Sequence, residues 1–226
     1  MATSNQFSFN PPIGQLAISA FARCGVKRTE ILAQHMDDAF NESNYLQSAW
    51  GADGITFWTV QLNSVPLVQG TATYTVPDNA ITVLDVYISN GSYNRLIFAF
   101  SRTDFASLGN PTTQGFPTTF WLDRAIPQTL TLWPVPDGTA TYTMFYYTYN
   151  QMQDAKLPQG GNAQLQYWWL DAYVAELAYR LSRIYAPQLE DKRKVDAKEA
   201  YERAASQGEA VPLYIFPGLT GFYRAS

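Results

Sequence analysis

The chain of 226 residues has one cysteine, one histidine and few charges. Each scarcity removes a class of function. Cys24 has no second cysteine to pair with, so no disulfide can form within the chain. Its expected role is a buried structural thiol in a helix, where free cysteine is commonly found. His35 has no second histidine to work with. A catalytic histidine needs an orienting acid and a nucleophile. Asp37 and Asp38 are close in sequence but stand at helix offsets that do not face it. One Cys and one His cannot supply the three or four ligands that zinc requires. No phosphate-binding G-x-x-x-x-G-K-[ST] loop and no G-x-S-x-G elbow occurs. No catalytic residue, metal or cofactor is therefore expected.

Charged residues make up 15% of the chain, against a usual value of about 25%. The net charge is −4 and the pI about 4.9. This balance argues against a protein that grips nucleic acid by neutralising phosphates, which needs clustered Lys and Arg. No uncharged apolar run approaches the ~18 residues of a membrane span, so no membrane partner is expected. The opening M-A-T-S-N-Q-F-S-F-N has no basic segment leading an apolar one, and no secretory signal is expected.

In place of charge the chain has Thr, Asn, Gln, Ser and Tyr, with fifteen tyrosines, thirteen phenylalanines and six tryptophans. Burial against partner subunits is one way to cover such a surface. The aromatics concentrate between Gly115 and Tyr149. There G-F-P-T-T-F-W-L-D, T-L-T-L-W-P-V-P-D-G and T-Y-T-M-F-Y-Y-T-Y read as three strands, a meander bounded by Pro and Gly. Alternation on the last strand puts Phe145, Tyr147 and Tyr149 on one face and Tyr142 and Tyr146 on the other. Core or subunit packing explains these rings at less cost than ligand stacking. A carbohydrate-binding module remains an alternative, with Trp121, Trp133 and Tyr147 as stacking residues. Carboxylate pairs for glycoside hydrolysis could come from Asp53, Asp85, Asp104, Asp123, Asp137 and Asp154. Most of these stand at turns or caps, where Asp serves local hydrogen bonding.

Helical signals flank the β region. A first helix starts near Asn10 as N-cap, buries Ile13, Ala17, Ala20 and Cys24, and ends at Gly25. A second, capped by Thr29, buries Leu32, Met36, Ala39, Ser43, Leu46 and Trp50. Strands follow at Phe57 to Leu62, Thr73 to Val76, Ile81 to Ser89 and Tyr93 to Phe100. Asn90-Gly91 predicts a tight hairpin between the last two. Ser101 and Asp104 predict a short capped helix. A third helix buries Leu170, Val174, Leu177, Leu181 and Ile184; Tyr167, Trp168 and Trp169 extend its apolar part so that it is largely enclosed. Pro187 separates it from a polar fourth helix with Glu190–Lys194 and Glu199–Arg203 spacings.

The expected fold is α+β. N- and C-terminal helix pairs (1–56 and 151–207) form one helical bundle, with an antiparallel β region (57–150) inserted and an extended C-terminal arm (208–226). The arm, V-P-L-Y-I-F-P-G-L-T-G-F-Y-R-A-S from Val211, is apolar but has no helical or strand period. Ordinary tails are polar. It either packs back on its own domain or lies on another chain through main-chain bonds and aromatic anchors.

The order F-A-R-C-G-V, L-Q-S-A-W-G, T-Y-T-V-P-D-N-A-I-T-V-L-D-V-Y, G-F-P-T-T-F-W, T-L-T-L-W-P-V-P-D-G, F-Y-Y-T-Y, K-L-P and W-W-L-D-A-Y-V-A-E-L-A-Y-R-L spans roughly Ile13 to Ala205. It resembles tailed-phage head-to-tail adaptor proteins, the group of tail tubular protein A and similar head-completion proteins of short-tailed phages. The resemblance implies a non-enzymatic virion protein made in the host cytoplasm and placed at the head–tail junction. It implies a homo-oligomeric ring, commonly of twelve subunits, under the portal protein. Such a ring docks the tail nozzle or tube, and DNA passes through its lumen without sequence-specific binding. It also implies that the arm reaches the portal, with Tyr214, Ile215, Phe216, Phe222, Tyr223 and Arg224 as its anchors. Another tail or baseplate component is the neighbouring alternative.

Overall fold

The structure, a computed structural model, describes residues 8–155 and 161–208. They divide into two compact units, one of residues 8–33 with 165–208 and one of residues 34–164.

The first unit is helical. α1 (Ile13–Arg23) is preceded by extended Pro12, which has no side-chain cap bond. The helix thus starts three residues after Asn10. Ile13, Leu16, Ala17, Ala20 and Phe21 form its buried stripe. α4 (Leu170–Tyr185) and α5 (Glu190–Gly208) are a helix hairpin broken at Ala186-Pro187, where Ala186 leaves helical angles. Two contacts fix the hairpin as antiparallel. Arg183 pairs with Glu190 at the bend, and Arg203 approaches Asp171 at the open end. These ion pairs cross the hairpin, whereas the sequence spacing suggested pairs within α5. Ala197, Ala200 and Ala204 are buried on α5, and their small size lets it lie close to α4.

The second unit is built on a sheet. Among the described residues its main sheet has seven strands in the order β1-β9-β3-β4-β6-β7-β2. These are β1 (Val60–Pro66), β2 (Thr73–Thr75), β3 (Ala80–Ser89), β4 (Asn94–Ala99), β6 (Thr119–Asp123), β7 (Thr129–Trp133) and β9 (Thr143–Asn150). Two-residue strands β5 (Gln114–Gly115) and β8 (Val135–Pro136) pair separately. All neighbours in the main sheet are antiparallel except β4 and β6. The connection between those two contains α3 (Arg102–Ala106), with Ser101 and Asp104 in the expected capping box. Val86, Ile88, Ile97, Leu130, Leu132, Met144 and Tyr146 fill the core on one face. Burial pushes the phenol of Tyr146 above its ordinary pKa.

The expected bundle with a β insertion is not the architecture. One unit is built on a seven-stranded sheet, and the helices are divided between the two units. α2 (Ala33–Asp53) does not complete a four-helix bundle; from Gln34 onward it belongs with the strands. Asn44 Oδ1 accepts from the Ala155 N–H at 2.7 Å, and a Cβ on Gly51 would stand 3.1 Å from Ile81 Cδ1. Helical period shows which side of α2 is buried, but not what covers it. The expected meander is also replaced. β9 does not follow β7 in space; it lies between β1 and β3. The Asn90-Gly91 hairpin is present with a four-residue loop, because Ser89 pairs with Asn94 and Asn90 Oδ1 accepts from both Ser92 and Tyr93 N–H at 3.1 Å.

Leu132→Ala removes a fully buried side chain from the sheet core, and unfolding in urea should show a loss of about 2–5 kcal/mol. Ile126→Ala, at a fully exposed position, should stay within about 0.5 kcal/mol of the parent.

Candidate interaction surfaces

Several polar groups that could do chemistry are spent on local structure. Asp104 caps α3. Asp123 Oδ1 accepts from Ala125 N–H at 3.2 Å. Asp137 Oδ1 accepts from the backbone N–H of Thr139 at 3.0 Å and from its hydroxyl at 2.9 Å. Those bonds, the backbone one foremost, hold the Asp137 carboxyl below its ordinary pKa. A glycosidase acid needs the opposite shift. Asp53, Asp85 and Asp154 are exposed. Cys24 is buried and its Sγ donates to the Ala178 carbonyl at 3.2 Å. Desolvation pushes its thiol pKa up, partly offset by the Arg193 charge. His35 is half-buried on α2. Among the described residues, no group of three or more His, Cys, Asp or Glu is placed to hold a metal, and no helix is long and apolar enough to cross a membrane.

What the fold presents instead is apolar surface. Side chains alternate across a strand, so residues opposite the sheet core share the outer face. The register places Ser64, Phe145, Tyr87 and Leu96 in one row across β1, β9, β3 and β4. Leu62 and Tyr147 are paired in the next row, and Phe98 extends the patch on β4. Tyr87 stacks on Phe145 with ring centres 5.2 Å apart. Leu96 is 52% exposed and Phe98 66% exposed, with Leu62 and Tyr147 exposed beside them. This exceeds scattered surface hydrophobics, because the rings and aliphatics are contiguous across four strands. β1 is an edge of the same sheet, and V-Q-L-N-S-V-P carries no charge to discourage pairing. The sequence signal for this patch was the unbroken Leu96-Ile97-Phe98 run, which marks a strand apolar on both faces.

Of the three aromatics considered for sugar stacking, Trp121 and Trp133 lie diagonally on one face of β6 and β7, and Tyr147 stands apart from both. Trp121 on β6 packs on Phe105 at 5.5 Å, and Trp133 Nε1 donates to the Asn110 carbonyl at 3.0 Å. Both are engaged by the segment that crosses from β4 to β6. Tyr147 on β9 lies three strands from β6, about 14 Å at the usual strand spacing. They form no common platform.

The helical unit has its own groove, of about 390 Å³, between α1 and the start of α4. Phe9, Leu16, Tyr167, Trp168 and Val174 line it, with Arg23 and Asp171 at its polar rim. Arg23 and Asp171 are bound at 2.6 Å. The sequence reading enclosed Tyr167 and Trp168, but they are 72% and 46% exposed. They belong to a 3-10 turn ahead of α4, Tyr167–Trp169, whose phase differs from the helix, and only Trp169 turns inward. Ile184, expected in the core, is exposed at the other end. The six arm residues Tyr214, Ile215, Phe216, Phe222, Tyr223 and Arg224 lie outside the described residues.

Residues 26–213 match the family model described as SU10 adaptor protein, and the chain belongs to that family. No curated protein matches the chain. The match agrees with the resemblance to phage head-to-tail adaptors noted in the sequence.

Cys24 should resist iodoacetamide in the native chain, because its thiol is covered and its pKa raised. Alkylation followed by mass spectrometry should show modification only after denaturation; rapid native labelling would contradict this packing.

Proposed function

We propose that the chain is a structural adaptor at the head–tail junction of a phage virion, one subunit of a closed ring seated on the portal. The family match over residues 26–213 carries this reading. The surfaces support it. A closed ring needs a heterologous contact, in which one face of each subunit meets a different face of the next. The uncharged outer sheet face around Leu96, Phe98 and Tyr147 suits one side of such a permanent contact, since interface cores are poor in charge and rich in aromatics.

Charge is unevenly divided along the chain. Residues 34–164 hold ten Asp and Glu against four Lys and Arg, net −6, while the remainder holds nine against eleven, net +2. An acidic sheet unit facing a lumen would repel DNA and let it pass without retention. The arm, with Tyr214, Ile215, Phe216, Phe222, Tyr223 and Arg224 as anchors, provides the hold on the portal, and the opposite side of the ring receives the tail nozzle or tube. No catalytic step is assigned.

Deleting residues 211–226 should leave a folded subunit by circular dichroism that fails to co-sediment with purified portal rings. Normal assembly of the truncated chain on portals would sink the arm assignment. Leu96→Asp with Phe98→Asp should leave the monomer folded, since both side chains are exposed, yet abolish ring particles on portals in negative-stain images. Intact rings from that variant would move the subunit contact elsewhere.

A further inference from the structure

The groove of the helical unit is open where the chain leaves α5. α4 and α5 run antiparallel, and two pairs set their register: Arg183 with Glu190, and Asp171 with Arg203. Trp169 meets Tyr201 edge-on at 5.6 Å in the same register. Continuing it puts Gly208, the last residue of α5, level with Gln166 and Tyr167. Tyr167 and Trp168 form the aromatic wall of the groove, and Asp171, which Arg203 approaches, stands on its rim. The chain then has eighteen more residues, E-A-V-P-L-Y-I-F-P-G-L-T-G-F-Y-R-A-S.

We propose that in the free subunit this groove is the seat of the chain's own segment Val211–Pro217, V-P-L-Y-I-F-P. Three observations fit that occupant. The first is reach. From Gly208 to Tyr214 an extended chain covers about 20 Å, while the groove wall from Gln15 to Arg23 on α1 is about 12 Å long. The second is chemistry. The groove offers Phe9, Leu16, Tyr167, Trp168 and Val174, and the segment brings Leu213, Tyr214, Ile215 and Phe216 without a charge. The third is conformation. Pro212 and Pro217 bound the segment and favour an extended backbone, which lowers the entropy lost on seating it in a groove. The proposal is argued from the helical unit alone and does not rest on the head-to-tail reading. It adds a state to that reading: the segment would exchange one apolar seat for another when the subunit meets the portal.

The test uses the full chain in solution. Phe216 is replaced by p-benzoyl-phenylalanine, the protein is irradiated, and the product is mapped by mass spectrometry. The expected product is a cross-link within one chain, to residues 9–23 or 167–174. Trp168→Ala with Tyr167→Ala, both exposed and therefore tolerated by the fold, should lower its yield roughly ten-fold, as removal of aromatic anchors does. Ile184→Ala, an exposed apolar site outside the groove, should leave the yield unchanged. The same probe at Tyr214 gives an independent reading. Cross-links to other regions, cross-links between chains, or a yield indifferent to Trp168 and Tyr167 would each overturn the proposal. Portal co-sedimentation of the same variants separates the two ideas, since loss of the seat should not abolish portal binding.

Discussion

The sheet unit depends on β9 being paired on both sides. Seven residues of β1 run along one edge of it, from Val60 opposite Tyr149 to Pro66 opposite Thr143, and β3 runs along the other. This pairing joins the start of the β region to its end. It also sets every side chain by its position: Met144 and Tyr146 go to the core, and Phe145 and Tyr147 go to the outer face. A slip of one residue would exchange the two sets. Polar groups at the end of the strand help to fix the register. Tyr149 Oη accepts from Thr56 N–H at 3.0 Å, and Thr59 Oγ1 donates to the Asn150 carbonyl at 2.7 Å. In β3 the register shifts between Ala80 and Thr82 and between Val83 and Val86, so the irregularities fall on the neighbour and β9 itself runs unbroken.

The same pairing sets which side chains the sheet unit presents on its outer face. Asp104, Asp123 and Asp137 serve caps and turns, the Cys24 thiol is sealed under α4, and the hollow of about 340 Å³ beside α2 is lined by amides, small side chains, Ile81, Met152 and one acid. The outer face of β1, β9, β3 and β4 exposes Leu62, Tyr147, Leu96 and Phe98 in adjoining rows. Tyr87 and Phe145 are stacked there before any partner arrives, so these two rings have little side-chain freedom left to lose on contact. That is a property suited to permanent assembly, and it accords with membership of an adaptor family.

Much of the local structure was legible from spacing alone. The α1 and α4 stripes, the Ser101–Asp104 cap, the strand at Ile81 to Ser89 and the alternation on β9 all follow from periods of 3.6 or 2 and from turn chemistry within a few residues. The errors have one origin. Period shows that a face is buried and is silent about its partner. Thus α2 was given to a helical bundle when Asn44 and Gly51 hold it to the sheet unit, and β9 was given to a meander when it pairs with β1, 77 to 89 residues earlier. Tyr167 and Trp168 were read as helix interior because their apolar character adjoins α4, although the 3-10 turn rotates them outward.

The sequence by itself determined which residue types are scarce and where its elements lie. One Cys and one His rule out an internal disulfide and a zinc site built from Cys and His alone, whatever the fold. The order of its motifs was enough to point to the adaptor family. Tertiary structure decided strand order, the placement of α2, and which aromatics face solvent. Those depend on contacts between residues far apart in the chain, and hydrophobic burial, being non-directional, does not say in advance which of several apolar faces will meet.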